Sequence, residues 1–250
     1  MAAFRVRAVH VQIGEPDPAL PSLLSRRVQS RSSGLTRGLA TALACLEGID
    51  GSALATVPTI FASAYGESQT LGTLLGQWLL DEGGLSPIRF VASVHNAASG
   101  ATSIASGATG FTTSIAAGRA TLVAALLEAH GLLMKGAPSV LIAIGDESPP
   151  SGYARTGQDC ALVTGALWLE RDASHVASGS RRQMTLRRRC ADDPYDIGLN
   201  ALAPTVRANP QAALLVLADA LAAAEPSVVE LDELWMACID PANAERSCVQ

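Results

Sequence analysis

Residues 110–147, GFTTSIAAGRATLVAALLEAHGLLMKGAPSVLIAIGDE, read as strand, helix, strand. Gly110 to Ile115 is short, and Thr112, Thr113 and Ile115 are β-branched side chains that favour an extended chain. Gly118 to Met134 is built mostly of Ala and Leu, good helix formers. Val123, Leu126, Leu127, His130 and Met134 recur at helical spacing, so one stripe is expected to face a core, widened by Leu122, Ala129 and Leu133. Gly136 and Pro138 stop the helix. Ser139 to Ile144 is then apolar without alternation and ends at Gly145-Asp146-Glu147. Such a run is a strand covered on both faces, as in a parallel sheet under helices. A side chain on the turn between the first strand and the helix sits at a helix N-terminus, where free N–H groups favour an anion.

Working outward, Phe4 to Gln12 reads as a strand, with Phe4, Val6 and Ala8 on one side and Val9 and Val11 bringing apolar groups to the other. Ser22 to Arg37 is polar, a short helix or an exposed connection, and Gly38 to Ile49 reads as a helix. Thr59 to Tyr65 is the next strand. Ser68 to Asp81 is an amphipathic helix with Leu71, Leu74, Leu75, Trp78 and Leu79 as its stripe. His95 to Ser106 mixes small and polar residues that let a neighbouring backbone or partner helix come close. Ser148 to Gly152 is a breaker cluster that marks the join between two parts, residues 1–150 and 151–250. Beyond it, Asp159 to Glu170 reads as a strand, Ala173 to Ser180 as a turn and Arg181 to Arg189 as a returning strand. Gln211 to Glu225 is a strong helix begun by Asn209-Pro210. Val228 to Ile239 is a last strand region, and the tail from Pro241 is loose.

Nearly half the residues are apolar, and the length is ample for a sizeable core. No apolar run reaches the ~18 residues that span a bilayer, and the N-terminus lacks a long apolar stretch. Five widely spaced cysteines with no Cys-x-x-Cys or Cys/His pairing fit a reducing cytoplasm better than zinc or disulfides. A net charge of −5 argues against general nucleic-acid binding. Basic residues are nevertheless clustered: Arg26, Arg27, Arg31 and Arg37 in one stretch, Arg181, Arg182, Arg187, Arg188 and Arg189 in another.

The strand, helix and strand of residues 110–147 resemble the N-terminal half of β-ketoacyl synthases, enzymes of the thiolase-like fold. In that family a catalytic Cys stands at the helix start. Anchored on Glu128 and on Gly145-Asp146-Glu147, that position falls at about Ala116, within Ser114-Ile115-Ala116-Ala117-Gly118. A methyl group cannot attack a thioester. Ser93-Val94-His95-Asn96-Ala97-Ala98-Ser99-Gly100, followed by Ser103-Ile104, is similar to a signature of a short ketosynthase-like subfamily, best known as chain-length-factor partners in aryl polyene clusters. Phe61 to Glu67 fits the strand and turn that the subfamily places earlier. The resemblance implies an α/β, thiolase-like fold, a mixed sheet covered by helices, with a complete N-terminal half (1–150) and an abbreviated second half (151–250) packed on it as one unit. It further implies a subunit interface and acyl channel along Ser93, His95, Asn96, Ser99, Ser103, Phe111, Thr112 and Thr113.

The family's two catalytic histidines, in a His-Gly-Thr-Gly-Thr turn and before a Gly-His pair, have no counterpart here. Of His10, His95, His130 and His175, His130 lies on the apolar helix stripe and reads as a core residue. His95, beside Asn96 and Ser93, reads more readily as orienting a turn than as a catalyst, and Ser114 is the hydroxyl nearest the lost nucleophile. No Gly-x-Ser-x-Gly elbow, phosphate-binding loop or metal-ligand set occurs, so no cofactor and no metal are expected. Asp146-Glu147 and Asp192-Asp193 read as solvated acidic pairs. The arginines of 181–189 read as a solvated edge strand or as the contact for an acidic acyl carrier protein. Together these readings point to a non-catalytic subunit that pairs with an active β-ketoacyl synthase in polyene, polyketide or fatty-acid-like biosynthesis. The alternatives are a self-standing acyltransferase or thioesterase using Ser114, and a homodimeric scaffold that binds carrier protein.

Overall fold

The chain, seen in a computed structural model that describes residues 2–80, 84–150, 159–171, 182–190, 193, 198–223 and 225–240, opens with a long strand, β1 (Ala2–Ile13). Three helices follow: α1 (Arg26–Gln29), α2 (Gly34–Ala44) and α3 (Gly51–Thr56). Strand β2 (Thr59–Ala62) leads to α4 (Ser68–Leu79), α5 (Pro87–Val91) and α6 (Ala97–Ser106). The expected strand–helix–strand unit is β3 (Thr112–Ile115), α7 (Thr121–Met134) and β4 (Ser139–Asp146). Then come β5 (Val163–Arg171), β6 (Arg182–Arg188), α8 (Pro204–Arg207), α9 (Ala212–Ala222), β7 (Ser227–Glu230) and β8 (Trp235–Asp240). Arg181, Asp192, His175, the turn at 173–180, Ser151-Gly152 and the tail from Pro241 lie outside the described residues.

All eight strands form one sheet, ordered β3-β2-β4-β5-β1-β6-β8-β7. Strand β2 runs parallel to β3 and β4, and every other pairing is antiparallel. The sheet is therefore mixed, and strands from the two parts of the chain interleave, with β5 between β4 and β1. The unbroken apolar run of β4 has the expected cause. Val140, Ile142 and Ile144 pack into a core with α7 and α9, while Leu141 and Ala143 pack with α2 on the opposite face. Strand β5 divides in the same way, Leu167 and Leu169 to the first core and Ala166 and Trp168 to the second. Helix α2 lies so close to the sheet that a Cβ on Gly38 would stand 2.7 Å from the Thr164 side chain.

Several elements depart from the expected pattern. The break in alternation along β1 is a β-bulge between Val6 and Ala8. The extra residue, Arg7, resets the two-residue period. Ala8 thus joins the α2 side, while Phe4, Val6, Val9 and Val11 face α7 and α9. The Arg7 guanidinium lies 3.7 Å from the centroid of the Trp168 ring and donates to Glu170 at 3.2 Å. On α7 the buried stripe is Leu122, Ala125, Leu126, Ala129 and Leu133, with Leu127 and Met134 exposed. With so many apolar residues around this helix, periodicity leaves the stripe's direction ambiguous by one residue. His130 meets Phe4 edge-on at 5.7 Å. Helix α2 starts at Gly34, four residues before the expected start, because Ser33 caps it by accepting from the Thr36 N–H at 2.9 Å. The last strand region is a hairpin whose turn is held by Asp232 Oδ1, which accepts from the N–H groups of Leu234 and Trp235, both at 2.8 Å. Strand β6 is interior, between β1 and β8, not an edge. Helix α4 forms as expected, but only Leu74 of its apolar stripe is buried.

Candidate functional site

The carboxyl ends of β2, β3 and β4 lie together at one end of the sheet, because these strands are parallel. Strand β1 ends there too, since two successive antiparallel pairings, through β5, return it to the direction of β4. Three short segments meet at this end: the turn after β2 (Ser63–Glu67), the β3–α7 junction (Ala116–Ala120) and the acids that close β4.

At the β3–α7 junction the chain turns through Gly118, at φ +57°, into a 3-10 turn before α7. Thr121 holds the turn: its Oγ1 accepts from the Ala117 N–H at 2.9 Å and donates to the Gly118 carbonyl at 2.7 Å. Ala116 is exposed at its mouth. The exposed side chain at this position, the one where the resemblance puts a nucleophile, is a methyl group. The Ser114 hydroxyl is buried and has no hydrogen-bond partner among the described residues, so none of them acts on it as a base.

The turn after β2 is built around Asp146, which is fully buried. Its carboxylate accepts from Ser63 Oγ (2.7 Å), the N–H groups of Ala64 (2.9 Å) and Tyr65 (2.8 Å), and Gln211 Nε2 (2.7 Å). Burial pushes the Asp146 carboxyl up, and these hydrogen bonds pull against that rise. His95 closes the turn from outside, with Nε2 2.8 Å from the Ser63 carbonyl. Gly66, at φ +56°, is required here, because a Cβ would stand 2.7 Å from the His95 ring. His95 therefore orients a turn, but its partner is Ser63 and not the expected Asn96 or Ser93. The Ser93 hydroxyl donates to the Phe90 carbonyl at 2.8 Å, and Asn96 is exposed.

Two more carboxyl groups gather at the α2 N-terminus. Glu67, 3 % exposed, accepts from Ser33 Oγ at 2.9 Å and Thr36 Oγ1 at 2.5 Å. Glu147 Oε2 accepts from the Leu35 N–H at 3.3 Å, while its Oε1 is buried without a partner. Burial, and then the nearby Glu67 charge, push the Glu147 carboxyl up to about 7. Asp146-Glu147 is accordingly a structural pair, Asp146 buried and Glu147 half-buried, where the sequence pattern suggests a solvated one. A signal is present: only Gly145 separates the apolar run of β4 from Asp146.

The other expected site residues divide. Ser99, with Ala98 and Thr102, is buried on the α6 face that packs on α2, so these small residues serve packing within the chain. Ser103 is half-buried, Phe111 is exposed, and Thr112 and Thr113 lie half-buried on edge strand β3. Of the second arginine cluster, Arg187 forms a two-pronged pair with Asp193 (2.6 and 2.8 Å), Arg189 pairs with Glu230, and Arg182 donates to the Ala223 carbonyl. Arg188 is exposed. The pairing holds the Asp193 carboxyl well below the usual carboxylate range. Among the described residues no group of three or more His, Cys, Asp or Glu is placed to hold a metal ion, and no helix is long and apolar enough to cross a membrane.

This architecture is a mixed sheet covered by helices, of the thiolase-like fold. The chain belongs to the family described as β-ketoacyl synthase, N-terminal domain, whose profile matches residues 7–219. Two similar solved structures are complexes of such proteins. One is a ketosynthase (ApeO) in complex with its chain length factor (ApeC) from Xenorhabdus doucetiae, with TM-score 0.67 and 20 % identity over 95 % of this chain and 100 % of that one. The other is the ishigamide ketosynthase/chain length factor, with TM-score 0.61 and 16 % identity over 96 % and 98 % of the two chains. No curated protein matches the sequence.

Proposed function

We propose that this chain is a non-catalytic ketosynthase-like subunit of the chain-length-factor type, which pairs with an active β-ketoacyl synthase and acts in polyene, polyketide or fatty-acid-like biosynthesis. The observation that carries this reading is the combination at β3. The strand ends at a junction where the resemblance puts a reactive residue and the chain has the methyl of Ala116, and among the described residues the strand itself is the unpaired edge of the sheet. Carbonyls of Phe111 and Ile115 accept from Thr59 and Ser63 of the neighbouring chain segment. By ladder alternation, the N–H and carbonyl groups of Thr112 and Ser114 point outward. An open edge of this kind is a template for another strand.

The flanking surface supports the same reading. Trp78 and Leu79 on α4, Ile88 and Phe90 on α5, Ile104 on α6 and Phe111 before β3 are all exposed large apolar residues, Ile104 by 84 %. Helix α4 packs on α5, and α6 on β3. Ile104 and Phe111 thus put exposed apolar groups next to the open strand, as an interaction face does. Chemistry would then belong to the partner, and this subunit would shape and cap the acyl channel between them, in the cytoplasm. Without that partner the same face would pair with a second copy. The acyltransferase reading has less support, because Ser114 has no base beside it among the described residues.

Co-expression with the ketosynthase encoded beside it tests the proposal. The expected result is a co-eluting complex, with full-length product only when both chains are present. Separate elution, with full-length product from the ketosynthase alone, would sink it.

A further inference from the structure

Helix α6 is mounted on its neighbours by small side chains, and they leave a gap. Its buried residues are Ala98, Ser99 and Thr102, and it packs against α2, α3 and β3. Facing it are large apolar groups: Leu43 of α2, Leu54 of α3 and Phe61 of β2. Short side chains on one wall do not reach bulky ones on the other, and a crevice remains with a water-accessible volume of about 10 Å³. Leu43, Thr59, Phe61 and Thr102 are buried in its lining, while Ser103 and Ser106 are half-buried, so it opens toward solvent along α6.

Thr102 is 2 % exposed, and its Oγ1 meets no hydrogen-bonding group among the described residues. It does not turn back to a carbonyl of its own helix, as threonine in a helix often does. A buried hydroxyl in that state is costly, and in folded proteins such groups are almost always paired, with protein or with ordered water. Three more hydroxyl-bearing residues line the same crevice, Thr59, Ser103 and Ser106. Thr59 Oγ1 donates to the Val57 carbonyl at 3.1 Å and Ser106 Oγ to the Ser103 carbonyl at 3.4 Å. Both oxygens keep lone pairs with which to accept.

We propose that this crevice is the seat of one structural water molecule, held by the Thr102 hydroxyl and at least one of the other three, which fastens α6 to the elements beneath it. The volume decides the ligand. A water needs about 10–15 Å³ of such space and two to four polar partners. The crevice meets both conditions, and it has no room for a larger molecule. An ion is unsuited as well, since no charged residue lines it. Cavities that stay dry are apolar throughout, and this one carries four hydroxyl-bearing residues. The site concerns the mounting of α6 within this chain and stands whether or not a ketosynthase binds.

A crystal structure of the full chain, at a resolution that shows ordered water, is the direct test. One density peak is expected within hydrogen-bond distance of Thr102 Oγ1 and of a second lining hydroxyl. Thr102→Ser should keep the peak and Thr102→Val should lose it. Urea unfolding adds a test whose sign differs between the two cases, because valine keeps the shape of threonine and deletes only the hydroxyl. With water bound, Thr102→Val removes a hydrogen bond and should lower the folding equilibrium constant by about fivefold. In a dry crevice the same change removes an unpaired buried hydroxyl and raises that constant. No peak in the unaltered chain overturns the proposal. A Thr102 hydroxyl bonded to the Ala98 carbonyl overturns it too, as does a Thr102→Val chain more stable than the original.

Discussion

Gln211, at the base of α9, donates its side-chain amide to Asp146 at 2.7 Å, and both residues are wholly inaccessible to solvent. Two residues away, Asn209 Nδ2 donates to the Asp146 backbone carbonyl at 2.7 Å and to the Ala161 carbonyl at 2.8 Å. The late helix is thus bonded to the acid that shapes the turn after β2, and the two parts of the chain share one polar core. Asp146→Asn keeps the volume but points an amide NH₂ at donors. It is expected to lower stability by about 3 kcal/mol or more, since stranding a buried donor costs roughly 1–3 kcal/mol and more where the lost acceptor is charged. Gln211→Ala should lower it by about 1–3 kcal/mol. Urea unfolding followed by circular dichroism orders the two, and an Asp146→Asn protein as stable as the original would refute this account of the turn.

The junction at Ala116 makes a separate prediction about reactivity. Ala116 is exposed at the start of the turn into α7, and the positive end of a helix dipole favours a thiolate. Burial pushes the thiols of Cys45 and Cys160 up, away from reactivity. The thiol introduced by Ala116→Cys should therefore react with iodoacetamide at least about tenfold faster than either. Peptide mapping after a timed quench measures this. A slow thiol in that variant would mean that the junction does not have the shape of a nucleophile turn.

How much of this is legible in the sequence depends on what periodicity can carry. The sheet strands and the long helix between β3 and β4 follow from apolar runs and their stops, and Leu214, Leu217, Ala218 and Leu221 of α9 face inward as expected. The short helices α3 and α5 escape such a reading, since pieces of six and five residues carry no usable repeat. The bulge at Arg7 leaves a trace, the break in alternation, but the same trace fits a strand covered on both faces. At the site, the alanine at 116, where the resemblance puts the family's cysteine, is visible as a single residue type. The Asp146 hub is not, because its donors come from Ser63, Tyr65 and Gln211, between 65 and 83 residues away in sequence. The exposed stripe of α4 shows the converse limit: an amphipathic pattern says that a face is apolar, not that the chain itself covers it.

Glu147 sets the expected pH dependence. Its carboxyl titrates at about 7 in the folded chain, above its ordinary 4.5. Between those values the folded state holds a proton that the unfolded state has released, so stability falls as pH rises from about 4.5 through about 7 and levels off above. Glu147→Gln removes that titration. The variant should match the original near pH 4.5 and exceed it by roughly 1–3 kcal/mol at pH 8. Urea midpoints at the two pH values measure the difference. Parallel pH profiles for the two proteins would show that Glu147 ionises freely in the fold.

The edge strand separates pairing from folding. If β3 recruits a partner strand, the outward N–H of Thr112 is one of its donors, and Thr112→Pro removes it without touching the bonds to β2. Proline is tolerated on the outward side of an edge strand, and the carbonyls of Phe111 and Ile115 keep their bonds to Thr59 and Ser63. Folding should therefore change by about 1 kcal/mol or less, with the circular dichroism spectrum retained. The ketosynthase complex should be lost on size exclusion at micromolar concentration, because the ring fills space at the seam as well as deleting a hydrogen bond. Charge placed on the flanking apolar face by Ile104→Glu acts through a different interaction, desolvation of a carboxylate, and should disrupt the same complex with the strand intact. A Thr112→Pro chain that still co-elutes while Ile104→Glu does not would move the interface off the strand and onto the helices.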